Sequence, residues 1–231
     1  MNRLKSKFVK YFYDELIMNQ KDIKSLSLLQ KYLPDSYFPF TSSSLNPHSL
    51  LCYINNLIMC KRKSVLEFGG GISTIVSAKV IKANKLSTNL VVVDNDSSYI
   101  KILQDICRAE NIDNIITFIY APIKSIEIDK SKYEWYDNKI IKEELRGHIF
   151  DLILVDGPLA HKKYNRYNRF PAIRYIRPLL EENYSIYLDD VNRYGERRII
   201  KQWSNELNID FEMVNSSFAH ISKGVGFNTI L

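Results

Sequence analysis

The sequence predicts an α/β fold built on a doubly wound, mostly parallel sheet. Three observations carry that expectation. Five short runs, 64–68 (SVLEF), 90–94 (LVVVD), 115–119 (IITFI), 150–156 (FDLILVD) and 184–190 (YSIYLDD), are β-rich and apolar almost throughout, as strands buried on both faces are. Helical stretches separate them, at roughly 73–84, 97–111, 138–147 and 170–182, and such alternation makes right-handed parallel crossovers. After a last helix at 195–207, DFEMV and GVGFNTI follow with no helix between them. These two late strands predict an antiparallel hairpin at the sheet edge and bring the sheet to seven strands.

The elements before the sheet read differently. Over 3–32, Leu4, Phe8, Tyr11, Phe12, Leu16, Leu26 and Leu29 recur at mostly helical spacing, with a break predicted near 19–22. The stretch LPDSYFPFTSSSLNP is rich in proline and hydroxyl residues and predicts an irregular crossing segment. Its last two residues, Asn46 and Pro47, suit the N-cap and first turn of a helix running to about Lys61. The expected organisation is an N-terminal helical extension, 1–46, serving as a lid or as a homodimer surface, followed by one domain, 47–231.

Composition narrows the class. With 45% hydrophobic and 12% aromatic residues the chain has ample material for a packed core, which argues against disorder. No stretch is apolar and long enough to span a bilayer, and the first twenty residues contain no uninterrupted apolar leader segment. Cys52, Cys60 and Cys107 lack CxxC or metal-ligand spacing and fit reduced thiols in a cytoplasmic protein. The formal net charge is +6. Lys162, Lys163, Arg166, Arg169, Arg174 and Arg177 lie in one segment with no acid among them. That segment is either a solvated face or the contact for an anionic partner.

Acids cluster at the strand ends. Asp94, Asp156, Asp189 and Asp190 close three strands, and Glu67 stands near the end of the first. In open α/β sheets ligands bind outside the carboxyl ends of the strands. Each acid alone would serve as a helix cap or turn residue, but together they mark one edge. Between the first strand and its helix lie Gly69, Gly70 and Gly71, then Ser73 and Thr74. Three residues without Cβ let a ligand lie against the backbone. The later Asp94 is placed to accept from both hydroxyls of a ribose. The third glycine of GxGxxG and a Walker lysine are both missing, which disfavours phosphate cradling.

VLEFGGGIST, VVVDND, FDLILVDGP and LDD, in this order, resemble the class I S-adenosylmethionine-dependent methyltransferases, Rossmann-like enzymes. Arg169-Phe170-Pro171-Ala172 and Asp189-Asp190-Val191-Asn192-Arg193 narrow the likeness to small-molecule O-methyltransferases of the VDGP/LDD type. The resemblance implies that Glu67, Gly69 and Gly71 hold the amino-acid end of S-adenosylmethionine. Asp94 would take the ribose, Asn95 and Ala121 would border the adenine, and Asp156 would lie near the methyl group.

Two bases would serve the transfer. Asp156, Asp189 and Asp190 form a hard-oxygen set suited to Mg²⁺, as in metal-dependent relatives. His161 follows VDGP in a loop. Tyr136 and Trp135, in a polar loop, are wall candidates for the acceptor. Arg166 and Arg169 are the expected contacts of an acidic or phosphorylated small-molecule acceptor. An RNA methyltransferase and a non-catalytic ligand-binding protein remain the alternatives. VDGP, in place of an Asn-Pro-Pro-Tyr-type motif, counts against nucleic acid.

Overall fold

The computed structural model describes residues 2–39, 41 and 43–227. A seven-stranded sheet holds β1 (Ser64–Phe68), β2 (Asn89–Asp94), β3 (Ile116–Tyr120), β6 (Phe150–Val155), β7 (Leu180–Leu188), β8 (Phe211–Met213) and β9 (Ala219–Lys223), in the order β3-β2-β1-β6-β7-β9-β8. The first five strands of that order run parallel, and β9 lies antiparallel to both β7 and β8. A separate hairpin pairs β4 (Ile123–Ile128) with β5 (Ser131–Tyr136). The helices are α1 (Asn2–Leu29), α2 (Pro47–Met59), α3 (Ile72–Ala83), α4 (Ser97–Ala109), α5 (Asn138–Glu144), α6 (Ala172–Ile176) and α7 (Tyr194–Leu207). None of the described helices is long and apolar enough to cross a membrane.

Strand alternation divides the core. Leu66, Phe68, Val91, Val93, Ile153 and Val155 face α6, α7 and the β4–β5 hairpin. Val65, Leu90, Val92, Leu152 and Leu154 face α2 and α3. Each such side chain, fully buried, contributes roughly 1.5–3 kcal/mol. The chain reverses its direction across the sheet at β1: β2 and β3 lie on one side and β6 and β7 on the other. A crevice therefore opens beyond the carboxyl ends of β1, β2 and β6.

Four expectations need correction. First, α1 has no break at 19–22, since Asn19 to Asp22 holds neither proline nor glycine to force the chain out of a helix. Second, the predicted helix at 170–182 ends at Ile176. Pro178 stands in the 3₁₀ turn Arg177–Leu179, and β7 already begins at Leu180. Third, among the described residues the last strand is β9, and 224–227 forms none. Gly224, at φ +75°, turns the chain out of the ladder, and residues 228–230 lie outside the described residues. Fourth, the supposed loop around Trp135 and Tyr136 is strand β5. The hairpin turns at Asp129 and Lys130, both at positive φ (50° and 64°), the geometry of a primed two-residue turn, where Asn-Gly or Asp-Gly is usual.

At the amino ends of the strands, a buried arginine ties the layers together. Arg62 donates through Nε to Asn56 Oδ1 (2.9 Å), through Nη2 to Ser185 Oγ (2.7 Å) and through Nη1 to the Asn183 carbonyl (3.2 Å). Arg62→Ala is expected to lower unfolding stability by about 3 kcal/mol, because buried partners lose charge-assisted bonds. A urea titration with an unchanged midpoint would contradict this.

Candidate active site

The site starts where β1 stops. Gly69 takes φ +90°, and a Cβ there would lie 2.8 Å from Gly157 N. A Cβ on Gly157 would lie 2.2 Å from the Tyr136 hydroxyl oxygen and 3.0 Å from Gly69 Cα. The ends of β1 and β6 can meet only because both residues are glycines; Phe68 O accepts from Asp156 N (2.9 Å) and Gly157 N (2.7 Å). A Cβ on Gly70 would press on Leu103 Cδ1 at 2.9 Å and Val92 Cγ1 at 3.0 Å. At Gly71 the nearest atom would be the Tyr99 hydroxyl, 3.9 Å away. Of the three glycines, two are required by packing and the third opens onto space.

That space is a cavity of about 290 Å³, bordered by Gly70, Gly71, Ser73, Tyr99 and Asp156 on the sheet side. Pro39, Thr41, Ser43, Ser44 and Leu45 of the crossing segment border it on the other. A larger groove of about 600 Å³ lies along Lys31, Asp35, Lys79 and Glu110. It contains none of the strand-end acids, and in it Lys79 Nζ meets Glu110 Oε2 at 2.5 Å and Asp35 Oδ1 at 3.3 Å.

Two carboxylates flank the glycine turn. Glu67 is fully buried. Thr74 Oγ1 donates to its Oε2, and Gly71 N donates to Thr74 Oγ1 at 3.1 Å. Glu67 Oε1 has no hydrogen-bond partner among the described residues. Burial pushes Glu67 up to about 7, against the opposing pull of the Thr74 and Ser73 hydroxyls. An orphan carboxylate oxygen away from water costs free energy unless a donor reaches it. Asp94 is buried too, and burial raises its pKa. Gly70 N donates to its Oδ2 and Asp96 N to its Oδ1, each at 2.9 Å. Each oxygen thus keeps one lone pair for a further donor. Beside it Asn95 is exposed, while Ala121 is fully buried, with its N–H on the Asp94 carbonyl at 2.9 Å.

At the ends of β6 and β7, Asp156, Asp189 and Asp190 each bring one oxygen within 4.8 Å of the others. The sequence predicted a metal there, and it predicted Arg169 as a contact for an anionic acceptor. The structure brings the three acids together and buries Arg169 among them. Arg169 is only 3% exposed. Its Nη2 meets Asp156 Oδ1 at 3.3 Å, and its Nη1 meets Asp190 Oδ2 at 3.0 Å. Arg193 Nη1 meets the same Asp190 oxygen at 2.7 Å. The two carboxylates touched by guanidinium are already balanced charge for charge, so the set does not fit a resident divalent ion. Burial pushes Asp156 up to about 6, with Arg169 pulling the other way. Asp189, against whose carboxylate no guanidinium is recorded among the described residues, is pushed by burial and by Asp156 up to about 8.

The other predicted residues are dispersed. Tyr136 is fully buried and stacks on Phe68 at 5.6 Å, so only its hydroxyl end reaches the site, from beneath Gly157. His161 is exposed and does not border the cavity. Arg166 is half-buried, 5.0 Å from the Tyr167 ring and 5.2 Å from the Tyr194 ring. Thr74, a hydroxyl residue of the glycine turn, supports Glu67. Two site residues lay outside the sequence reading: Tyr99, which walls the cavity, and Glu196, fully buried in the first turn of α7. The spacing from Asp96, which caps α4, to Tyr99 was the available signal for the first.

No family model and no curated protein matches the chain. Solved structures do. An O-methyltransferase from Bacillus cereus in complex with SAH is similar at 14% identity over 91% of this chain and 97% of its own, with a TM-score of 0.58. A SAH-bound methyltransferase from Podospora anserina shares 15% identity over 97% of both chains, with a TM-score of 0.56. The O-methyltransferase TomG from Streptomyces achromogenes, in complex with SAM, shares 14% over 88% of this chain and 90% of its own, also at 0.56. At such identities the shared property is the fold: a mostly parallel seven-stranded α/β sheet closed by an antiparallel hairpin.

Proposed function

We propose that the protein is an S-adenosylmethionine-dependent methyltransferase acting on an oxygen of a small acceptor. One observation carries this reading. The glycine turn that borders the cavity is flanked by a buried glutamate with an unpartnered oxygen and a buried aspartate with two lone pairs to spare. The first suits an ammonium and the second a vicinal diol, the two polar ends of the donor. The similar structures solved in complex with SAH or SAM support the same choice.

When bound, the donor supplies an electrophilic methyl group on a sulfonium: the acceptor oxygen forms the new C–O bond while the S–C pair leaves with sulfur. The chain aligns the two partners, a contribution worth up to roughly 7–11 kcal/mol. It also removes the acceptor's proton. Asp156 borders the cavity, and at about 6 it is mostly ionised at neutral pH yet basic enough to share that proton. Asp156 takes this role in preference to His161, which does not border the cavity. Lys162, Lys163 and Arg166 ring the adjoining turn and favour an anionic acceptor. The test is transfer of radiolabelled methyl from the donor into a panel of acidic saccharides, sugar nucleotides and catechols. Label recovered with RNA and a steep salt slope would move the assignment to nucleic acid.

Donor binding is expected to release a proton from Glu67. In the free protein this group titrates at about 7. An ammonium at Oε1 favours the carboxylate form, so binding below that pH ejects a proton, and affinity climbs with pH until it levels near 7. Asp156, at about 6, is already ionised by then. Glu67→Gln should therefore remove most of the release near neutrality, as read by calorimetry in two buffers of different ionisation enthalpy. Without donor, folding stability runs the opposite way with pH. The stability that neutral Glu67 contributes is fully present below its ordinary 4.5 and is lost as pH rises through about 7.

A further inference from the structure

We propose that Arg169 is the resident cation of the strand-end acid cluster, standing where a divalent metal would otherwise be held, so that the cluster works without a metal. Three sets of observations support it.

The first is saturation. Nε donates to the Pro158 carbonyl at 3.2 Å. Nη1 serves the Asp189 carbonyl at 3.3 Å and Asp190 Oδ2 at 3.0 Å. Nη2 serves the Asp156 carbonyl and Asp156 Oδ1. A guanidinium has five N–H donors; here they make four hydrogen bonds, to Pro158, Asp156 and Asp189, and an ion pair with Asp190. It carries its charge at any working pH and presents a planar fork, which a hydrated metal ion does not.

The second is construction. The residues flanking Arg169 are pinned from three directions. Asn165 Nδ2 donates to the Leu159 carbonyl at 3.1 Å, Asn168 Oδ1 accepts from Glu134 N at 3.1 Å, and Trp203 Nε1 donates to the Phe170 carbonyl at 3.1 Å. The turn, the β4–β5 hairpin and α7 together fix the approach of the guanidinium.

The third is the surrounding charge. Glu196 is fully buried, and neither of its carboxylate oxygens has a hydrogen-bond partner among the described residues. It is one of four acids, with Asp156, Asp189 and Asp190, whose field acts on Arg169. Four acids around one buried guanidinium match the environment of a structural cation. A divalent ion needs carboxylate oxygens at roughly 2.0–2.6 Å with room for its other ligands, and here two of the three carboxylates are already ion-paired with guanidinium groups.

The experiment is Mn²⁺ binding read by electron paramagnetic resonance on the full chain, with no donor or acceptor present. A failure here is therefore separate from a failure of the methyl-transfer reading. Wild type is expected to leave Mn²⁺ free. Arg169→Met, which keeps bulk and removes charge, should gain one Mn²⁺ site about tenfold or more tighter than any in wild type, and adding Asp156→Asn should abolish it. Arg169→Lys should stay as metal-free as wild type, because the charge is kept. If Arg169→Met does not fold, wild type and Arg169→Lys decide the matter. One Mn²⁺ per wild-type chain that disappears in Asp156→Asn overturns the proposal, as does a folded Arg169→Met that binds no more tightly than wild type.

Discussion

Asp94→Ala is expected to weaken binding of S-adenosylmethionine and its demethylated product by about 100-fold or more. The carboxylate keeps one lone pair on each oxygen after accepting from Gly70 N and Asp96 N. A ribose diol would use both. Hydrogen bonds to a charged group contribute about 1.5–3 kcal/mol each, and tenfold in affinity corresponds to about 1.4 kcal/mol. Losing two such bonds therefore exceeds 100-fold even at the low end. The substitution also frees the two backbone donors that shape the turns after β1 and β2, so the loss should be no smaller than the pairwise sum. Asp94→Asn keeps one acceptor oxygen and should fall between the extremes. Calorimetry on all three proteins, each checked for a cooperative melt, reads the series. Equal affinities across it would remove Asp94 from the donor site.

Gly157→Ala should cost about 3 kcal/mol of stability, the upper range for forced overpacking. The added methyl would sit 2.2 Å from the Tyr136 hydroxyl and 3.0 Å from Gly69 Cα. The first neighbour can be removed by a second substitution; the second is backbone and cannot. Tyr136→Phe in the same chain should therefore recover about 1 kcal/mol or more beyond additivity, without restoring wild type. Urea denaturation of the four proteins in the cycle measures this. Additive behaviour would mean that the ring hydroxyl and the glycine are not in contact. Because Asp156 precedes this glycine, the same strain should disturb the carboxylate that borders the cavity.

The parallel strands and their helices were legible because burial on both faces leaves continuous apolar runs, as in LVVVD and FDLILV. Asn46 and Pro47 announced α2 through capping chemistry that is local. The β4–β5 hairpin was hidden because Asp129-Lys130 makes its turn without glycine, although the alternation of Ile126, Ile128, Tyr133 and Trp135 was present. In the site, the strand-end acids could be picked out because the sheet topology alone collects them. Arg169 could not be placed correctly. A run of basic residues looks like a solvated stripe, and nothing local distinguishes Arg169, folded under Asp156, from its exposed neighbours Lys162 and Lys163. The glycines show the same limit. Their sequence announces a place without side chains, but only tertiary contacts separate Gly69, needed by Gly157, from Gly71, open to the cavity.

The most direct measurement is an isothermal titration of the folded wild-type chain with S-adenosylhomocysteine. Saturable one-to-one heat, accompanied below pH 7 by proton release that Glu67→Gln suppresses, is the result expected if the ammonium meets Glu67 Oε1 and the diol meets Asp94. No heat from cooperatively folded protein with either the methylated or the demethylated compound would contradict the assignment of the cavity.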